Sequence, residues 1–250
     1  MAKERIAKVL ARAGVGSRRD CERMIEAGRV ALNGAVIRHP VHLVDEADLV
    51  TVDGKPVAGA QRTMLWRYHK PAGLVTTARD PEGRPTVFSA LPKSLPRVIS
   101  VGRLDINTEG LLLLTNDGGL ARYLEHPAQK FLRVYRVRAH GRVNRRSLEE
   151  LSRGLTVDGV AYRPARCTLD RVQGGNSWLT MALEEGKNRE VKRLLQHIGL
   201  RVTRLIRIAY GPFQLGDLKT GAVEEVANHD LARLLSGYFR KRIDEAGEAG

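Results

Sequence analysis

Cysteine is nearly absent: Cys21 and Cys167 are the only two in 250 residues, far apart and outside any CxxC spacing. Their scarcity argues against a zinc site or a disulfide framework and makes a reducing cytoplasm the expected compartment. No apolar run approaches the ~18 residues that a membrane helix needs. The opening Met-Ala-Lys-Glu-Arg-Ile lacks the apolar segment of a secretory signal. Also missing are the GxxxxGK[ST] phosphate loop, a GxGxxG after a strand, HExxH and GxSxG. His39, His42, His69, His126, His140, His197 and His229 pair with no cysteine or carboxylate at metal-ligand spacing. Reactions that need ATP, a nicotinamide or zinc are therefore disfavoured, and the expectation is no cofactor and no metal.

Positive charge is in excess, with 42 Lys and Arg against 28 Asp and Glu, a net +14. A chain this basic points to a polyanionic partner, most often nucleic acid. The cations cluster. Residues 1–38 hold nine against four acids, residues 130–146 seven against none, and residues 187–207 seven against Glu190 alone. Clustering favours a binding surface over a uniformly solvated shell but does not separate RNA from DNA. Hydrophobic residues make up 42% and are spread throughout, enough for one large domain or a medium one plus a small one.

The first 60 residues read as two short helices and a small sheet. Ile6, Val9, Leu10 and Ala13 share a helix face, while Arg5, Lys8 and Arg12 recur on another. Gly14 and Gly16 end that helix. Ser17 has N-cap character with Asp20 three residues on, and Cys21, Met24 and Ile25 supply the next apolar face. Asn33-Gly34 between short apolar runs is a strong hairpin signal, and Asp53-Gly54 after Leu49–Val52 repeats it. Residues 55–63 read as a linker. A second domain is expected over 64–237, with strands near Leu65–His69, Val98–Val101, Phe131–Val143, Ala161–Leu169, Trp178–Leu183 and Val202–Ile208. Helices are expected at Leu120–His126, Leu148–Gly154 and Glu190–Ile198. Residues 238–250 read as a frayed, disordered tail. Strands outnumber helices without alternating regularly with them, which predicts an α+β fold with a mixed, mostly antiparallel sheet.

Within that domain Val101–Gly118 reads VGRLDINTEGLLLLTNDG. The unbroken run Leu111–Leu114 predicts a buried strand and places Asp105 on a partly dry turn beside Arg103. Taken singly, an aspartate in a turn is more often a cap, Tyr135 on a strand is usually core or rim, and Lys192 on a helix is usually solvated. Asp105 and Glu109 suggest a glycosidase pair, but sequence spacing does not set the separation such a pair needs.

Three segments in order overturn those readings: GRLDINTEGLLLLTNDG, Phe131-Leu132-Arg133-Val134-Tyr135-Arg136-Val137, and Glu185-Gly186-Lys187-Asn188-Arg189-Glu190-Val191-Lys192-Arg193-Leu194-Leu195. With Lys70-Pro71-Ala72-Gly73 and Leu205-Ile206-Arg207 before Gly211-Pro212-Phe213, they resemble the ribosomal RNA pseudouridine synthases. The N-terminal run GSRRxxERMIEAGRVALNG resembles the small RNA-binding module of the ribosomal-protein S-four type, through Arg5, Lys8, Ser17, Arg18, Arg19, Arg29 and Asn33. The resemblance implies an S-four-type module followed by a pseudouridine synthase catalytic domain. It implies Asp105 as nucleophile, Lys192 as the cation holding it charged against burial, and Tyr135 as a ring for stacking and a hydroxyl for proton transfer. Arg103 is expected to reach the RNA. The implied partner is ribosomal RNA or a ribosomal precursor particle, with no membrane, no small-molecule cofactor and a monomeric state. Arg189-Glu190-Val191-Lys192 resembles the large-subunit branch more than the His-Gln form of other relatives. A non-catalytic RNA-binding ribosome assembly factor remains the alternative; it has no reason to keep an anion facing a polyanion.

Overall fold

The computed structural model describes residues 3–45, 47–59 and 61–240. At the N-terminus β1 (Glu4–Arg5), α1 (Ile6–Arg12) and α2 (Arg18–Glu26) precede β2 (Val30–Leu32), β3 (Ala35–Ile37), β4 (Leu43–Val44), β5 (Val50–Val52) and β6 (Lys55–Pro56). Ser17 caps α2 with a full capping box: its Oγ accepts from Asp20 N at 3.1 Å, and Asp20 Oδ2 accepts from Ser17 N at 3.0 Å. Such a cap stabilises a helix by about 1 kcal/mol. The β2–β3 hairpin turns on Asn33 and Gly34, both at positive φ (50° and 84°), as its Asn-Gly sequence predicts. Ile6, Leu10, Cys21, Ile25 and Val30 are fully buried in this unit's own core.

The rest is built on one nine-stranded sheet. Its elements are β7 (Leu65–Lys70), β8 (Ile99–Val101), β9 (Thr108–Thr115), α3 (Gly118–Glu125), β10 (Arg133–His140), α4 (Arg145–Leu151), β11 (Leu155–Val157), β12 (Val160–Tyr162), β13 (Arg166–Gln173), β14 (Asn176–Leu183), α5 (Glu190–His197), β15 (Arg201–Tyr210), β16 (Phe213–Gln214), β17 (Val223–Glu225) and α6 (Asn228–Leu234). The order is β13-β14-β10-β15-β9-β7-β17, with β8 paired to β9, β16 to β15, and β11 with β12 as a separate hairpin. The β15–β9 pair is parallel and its neighbours in the sheet are antiparallel, so the sheet is mixed and mostly antiparallel.

The apolar run in β9 is continuous because both faces of that strand are covered. Leu112 and Leu114 pack with Trp66 and Tyr68 on one face. Leu111 and Leu113 pack with α3, Phe213 and Leu231 on the other. A third cluster, on the first of these faces, joins Val137, Ala139, Leu179 and Met181 to α4 and α5. Tyr135 packs against both clusters of that face, so the boundary between them runs past its ring. Among the described residues no helix is long and apolar enough to cross a membrane.

Three expectations need correction. Ala161–Leu169 is two strands, β12 and β13, because Pro164 cannot donate to a ladder and breaks the run. Lys55–Pro56 pairs with β5 and Val57 N donates to Val50 O at 2.9 Å, so residues 55–57 of the segment read as a linker belong to the N-terminal unit. Tyr238 is not frayed. Residues 236–240 are helical, Tyr238 is buried, and its ring lies 5.2 Å from that of Tyr123. Two aromatics that find a core outweigh the polar composition around them. Residues 241–250 lie outside the described residues.

Candidate active site

Asp105 sits where the chain crosses from β8 to β9, and this crossing is fastened at several points. Gly102 turns the chain at φ 67°, and its N–H donates to Glu125 Oε1 at 2.6 Å. Leu104 is buried, and Thr76 Oγ1 bonds both its carbonyl (2.9 Å) and its N–H (3.3 Å). Asp105 O accepts from Thr108 N at 2.9 Å, closing the turn. Lys70, fully buried at the end of β7, aims its ammonium at the same turn. Its Nζ donates to the carbonyls of Pro71 (2.9 Å), Ile106 (3.1 Å) and Thr108 (2.9 Å).

The other half of the site arrives through the parallel β9–β15 pair. Gly110, at φ 100°, lies so close to Arg207 that a Cβ would be driven into the Arg207 carbonyl oxygen. This contact brings β15, and α5 packed beside it, up to the Asp105 turn. Lys192 on α5 then donates to Asp105 Oδ2 at 3.0 Å across 87 positions of sequence. Both side chains keep some exposure, 23% for Lys192 and 35% for Asp105. Asp105 is therefore partly dry, as expected of its turn.

Asp105, Arg103 and Tyr135 line a common cleft of about 950 Å³. Arg103 is exposed there and, among the described residues, has no carboxylate partner. The floor is a stack of two arginines on one tyrosine. Arg133 and Arg207 lie 4.8 and 5.0 Å from the Tyr210 ring. Arg133 Nη2 donates to Tyr210 Oη at 2.9 Å, and Tyr210 Oη donates to Leu124 O at 2.9 Å. Among the described residues no three His, Cys, Asp or Glu side chains gather as a metal site.

Residues 65–197 match the RNA pseudouridylate synthase family, and residues 4–50 match the S4 domain. Over 240 residues the chain is 45% identical to an uncharacterized RNA pseudouridine synthase of Rickettsia typhi, a match that covers 96% of this chain and 98% of that relative. The chain belongs to the RNA pseudouridine synthase family. It is also 44% identical to the ribosomal large subunit pseudouridine synthase B of Escherichia coli O6:H1, over 96% of this chain and 84% of that one. A crystal structure of a pseudouridylate synthase shares the fold, with a TM-score of 0.64 over 92% of this chain and 99% of that chain at 23% identity. The protein is thus an RNA-modifying enzyme, and RNA is its substrate.

In the S4 unit of this synthase the seven residues singled out from sequence fall into two groups. Arg5, Lys8, Arg18, Arg19 and Arg29 are exposed. Three of them hold acids: Lys8 to Glu4 at 2.6 Å, Arg18 to Glu22 at 3.5 Å and Arg29 to Asp53 at 2.5 Å. Exposed pairs of this kind stabilise by only about 0–1 kcal/mol. Ser17 and Asn33 are engaged by the fold itself, Ser17 as the α2 cap and Asn33 through Asp48 Oδ1 (2.7 Å) and Leu49 N (2.8 Å).

Sequence reasoning did not find Arg133, Arg207, Lys70 or Glu190 as parts of the synthase cleft or its supports. Glu190 is the most unusual of them. It is buried, its Oε2 accepts from Lys187 N at 2.9 Å, and its Oε1 has no partner. Burial pushes its carboxyl up to about 6, against the opposing bond from Lys187. A folded value above the unfolded one means that the folded state binds the extra proton between about 4.5 and 6. Stability from this group is full below that window and is lost as pH rises through it. Glu190→Gln keeps the acceptor and removes the charge. It is expected to raise stability at pH 8 by about 1–2 kcal/mol, with the gain vanishing at pH 4.5 in urea titrations. An equal gain at both pH values would assign the effect to packing.

Proposed function

We propose that this enzyme isomerises one uridine in large-subunit ribosomal RNA to pseudouridine, with Asp105 as nucleophile and without a cofactor. The observation that carries the reading is the 3.0 Å contact of Lys192 with Asp105, which lines the same cleft as Tyr135. The reaction breaks the bond from ribose C1′ to uracil N1, turns the base, and joins C1′ to C5. The C5 proton is lost and N1 gains one. Substrate and product are isomers, so no electron or group donor is needed.

Asp105 presents an anion to the electron-poor sugar or base, and Lys192 supplies the counter-charge that lets it face a polyanion. Tyr135 offers a ring against the uracil and a hydroxyl for the proton that leaves C5. The target must leave its stack to reach this cleft, at a cost of a few kcal/mol. Phosphate contacts from the S4 unit and stacking on aromatic rings offset it. The large-subunit assignment draws support from Arg189-Glu190-Val191-Lys192 and from the 44% identity to a relative named for the large subunit.

The test is tritium release from ribosomal RNA labelled at uridine C5, using transcripts and immature particles from cells lacking the gene. Release of one tritium per large-subunit RNA is expected. No release from either substrate sinks the reading; release from small-subunit RNA alone corrects the target.

A further inference from the structure

The sheet has two faces, and one of them is only half covered. Beyond β15 the strands β10, β14 and β13 send Val137, Ala139, Leu179 and Met181 to the core side. The alternate residues form a surface of their own. By register Arg136 stands beside Thr180 and Thr168, while Arg138 stands beside Trp178 and Arg171. Arg136, Arg138 and Arg171 are exposed. The Arg136 guanidinium lies 4.8 Å from the Trp178 ring centroid. On the same face the cluster with α3 and α6 stops at Ile206 and Ile208 of β15, so nothing among the described residues covers this half.

What sets this patch apart from an ordinary solvated face is a half-buried indole beside guanidinium groups that hold no carboxylate among the described residues. In the S4 unit Lys8, Arg12, Arg18, Arg23 and Arg29 each hold a carboxylate. On the adjoining strand Arg204 is held by Glu109 at 2.8 Å. Among the described residues Arg136, Arg138 and Arg171 have no ion pair. The patch's acid, Asp170, accepts from Thr180 Oγ1 at 2.8 Å instead. Three guanidinium groups against one carboxylate leave net positive charge around a half-buried tryptophan, which favours an arriving anion. Forked guanidinium donors match phosphate oxygens, and an indole face stacks on any base.

We propose that this half-face is a second RNA-contact surface, on the opposite side of the sheet from the cleft, gripping an unpaired stretch of the same RNA. Trp178 stacks on a base, and Arg136, Arg138 and Arg171 hold phosphates. An RNA seated in the cleft reaches it by passing round β13, the open edge of the sheet. Charge complementarity favours RNA over a protein docked on that edge. The proposal rests on RNA being the substrate and is independent of which residue is the nucleophile.

The test uses the full chain carrying Arg136→Gln, Arg138→Gln and Arg171→Gln together. Binding to a large-subunit RNA fragment is measured against salt, and turnover is measured on a short hairpin holding the target uridine. The slope of log affinity against log salt is expected to shrink by about 2 to 3, one released counterion fraction per lost phosphate contact. Hairpin turnover is expected to stay at the wild-type rate. In the wild-type chain a twelve-residue oligouridine is expected to quench tryptophan emission, and Trp178→Phe to remove the quenching, since Trp66 is buried. An unchanged salt slope overturns the proposal. So does loss of binding confined to protein-containing particles, which indicates a ribosomal protein as occupant. Loss of hairpin turnover in the triple variant also overturns it, by placing the arginines in the cleft's own path. A wild-type chain without hairpin turnover, but with a slope that the variant shrinks, leaves this surface standing and removes only the target assigned above.

Discussion

Asp105→Asn is expected to lower tritium release by at least about four orders of magnitude while leaving RNA affinity at the wild-type value or slightly above it. Losses of this size accompany removal of a nucleophile that no neighbour replaces. The amide keeps the volume of the carboxylate and its acceptor oxygen, so the contact with Lys192 Nζ at 3.0 Å persists as an ammonium–amide hydrogen bond without the ion pair. What disappears is the negative charge and the electron pair that attacks. Affinity holds because Asp105 contributes no phosphate contact, and removing an anion from a surface that meets RNA eases repulsion. Single-turnover tritium release and filter binding, run on the same preparation, separate the two effects. Retained turnover would show that the cleft works through another group. Matched loss of turnover and binding would mean that the substitution disturbs the turn rather than the chemistry.

The Asp105 turn was legible in sequence because local signals surround it: a Gly-Arg-Leu step, the unbroken Leu111–Leu114 run and the Asn116-Asp117-Gly118 turn. The S4 unit was legible for the same reason, since its cap and its hairpin are fixed by residues two to four positions apart. Lys192 has no local signal that ties it to Asp105. That pairing depends on a parallel strand contact, and only the family resemblance brought it forward. Gly110 stands just before the Leu111–Leu114 run and lies inside β9. Its lack of a side chain serves a backbone approach to Arg207 that no periodicity reveals. Lys70 was visible as part of a turn sequence but not as a buried cation, because a lysine at the end of an alternating strand normally reads as solvated. Arg136 and Arg138 alternate with buried Val137 and Ala139 along β10 and are exposed. Their lack of neutralising carboxylates is a property of three strands set side by side.

Lys70→Met tests whether the Asp105 turn depends on a buried ammonium. The carbonyls of Pro71 and Thr108 would lose the Lys70 donor, while Ile106 O keeps its bond from Gly73 N at 2.8 Å, and each acceptor left unpaired costs about 1–3 kcal/mol. Against this stands the relief of burying a charge. Burial lowers the Lys70 ammonium from 10.5 to about 8, with Asp105 and Glu109 pulling the other way, which corresponds to about 3 kcal/mol. The net expectation at pH 7 is a loss of about 1–3 kcal/mol in urea unfolding. Turnover is expected to fall about 100-fold, because a carboxylate displaced by 1 Å loses its alignment. RNA affinity should not move. The pH dependence has a definite sign. Below pH 8 both folded and unfolded chains carry the Lys70 proton, and the burial penalty is fully present. Between about 8 and 10.5 the unfolded chain holds the proton more tightly, so the wild-type protein gains stability as pH rises. The gap between wild type and Lys70→Met should therefore widen through that window. A gap that narrows would mean that the ammonium, rather than the amine, is what the three carbonyls require. A variant with wild-type stability and turnover would show that the turn is held by Thr76 and Gly102 alone.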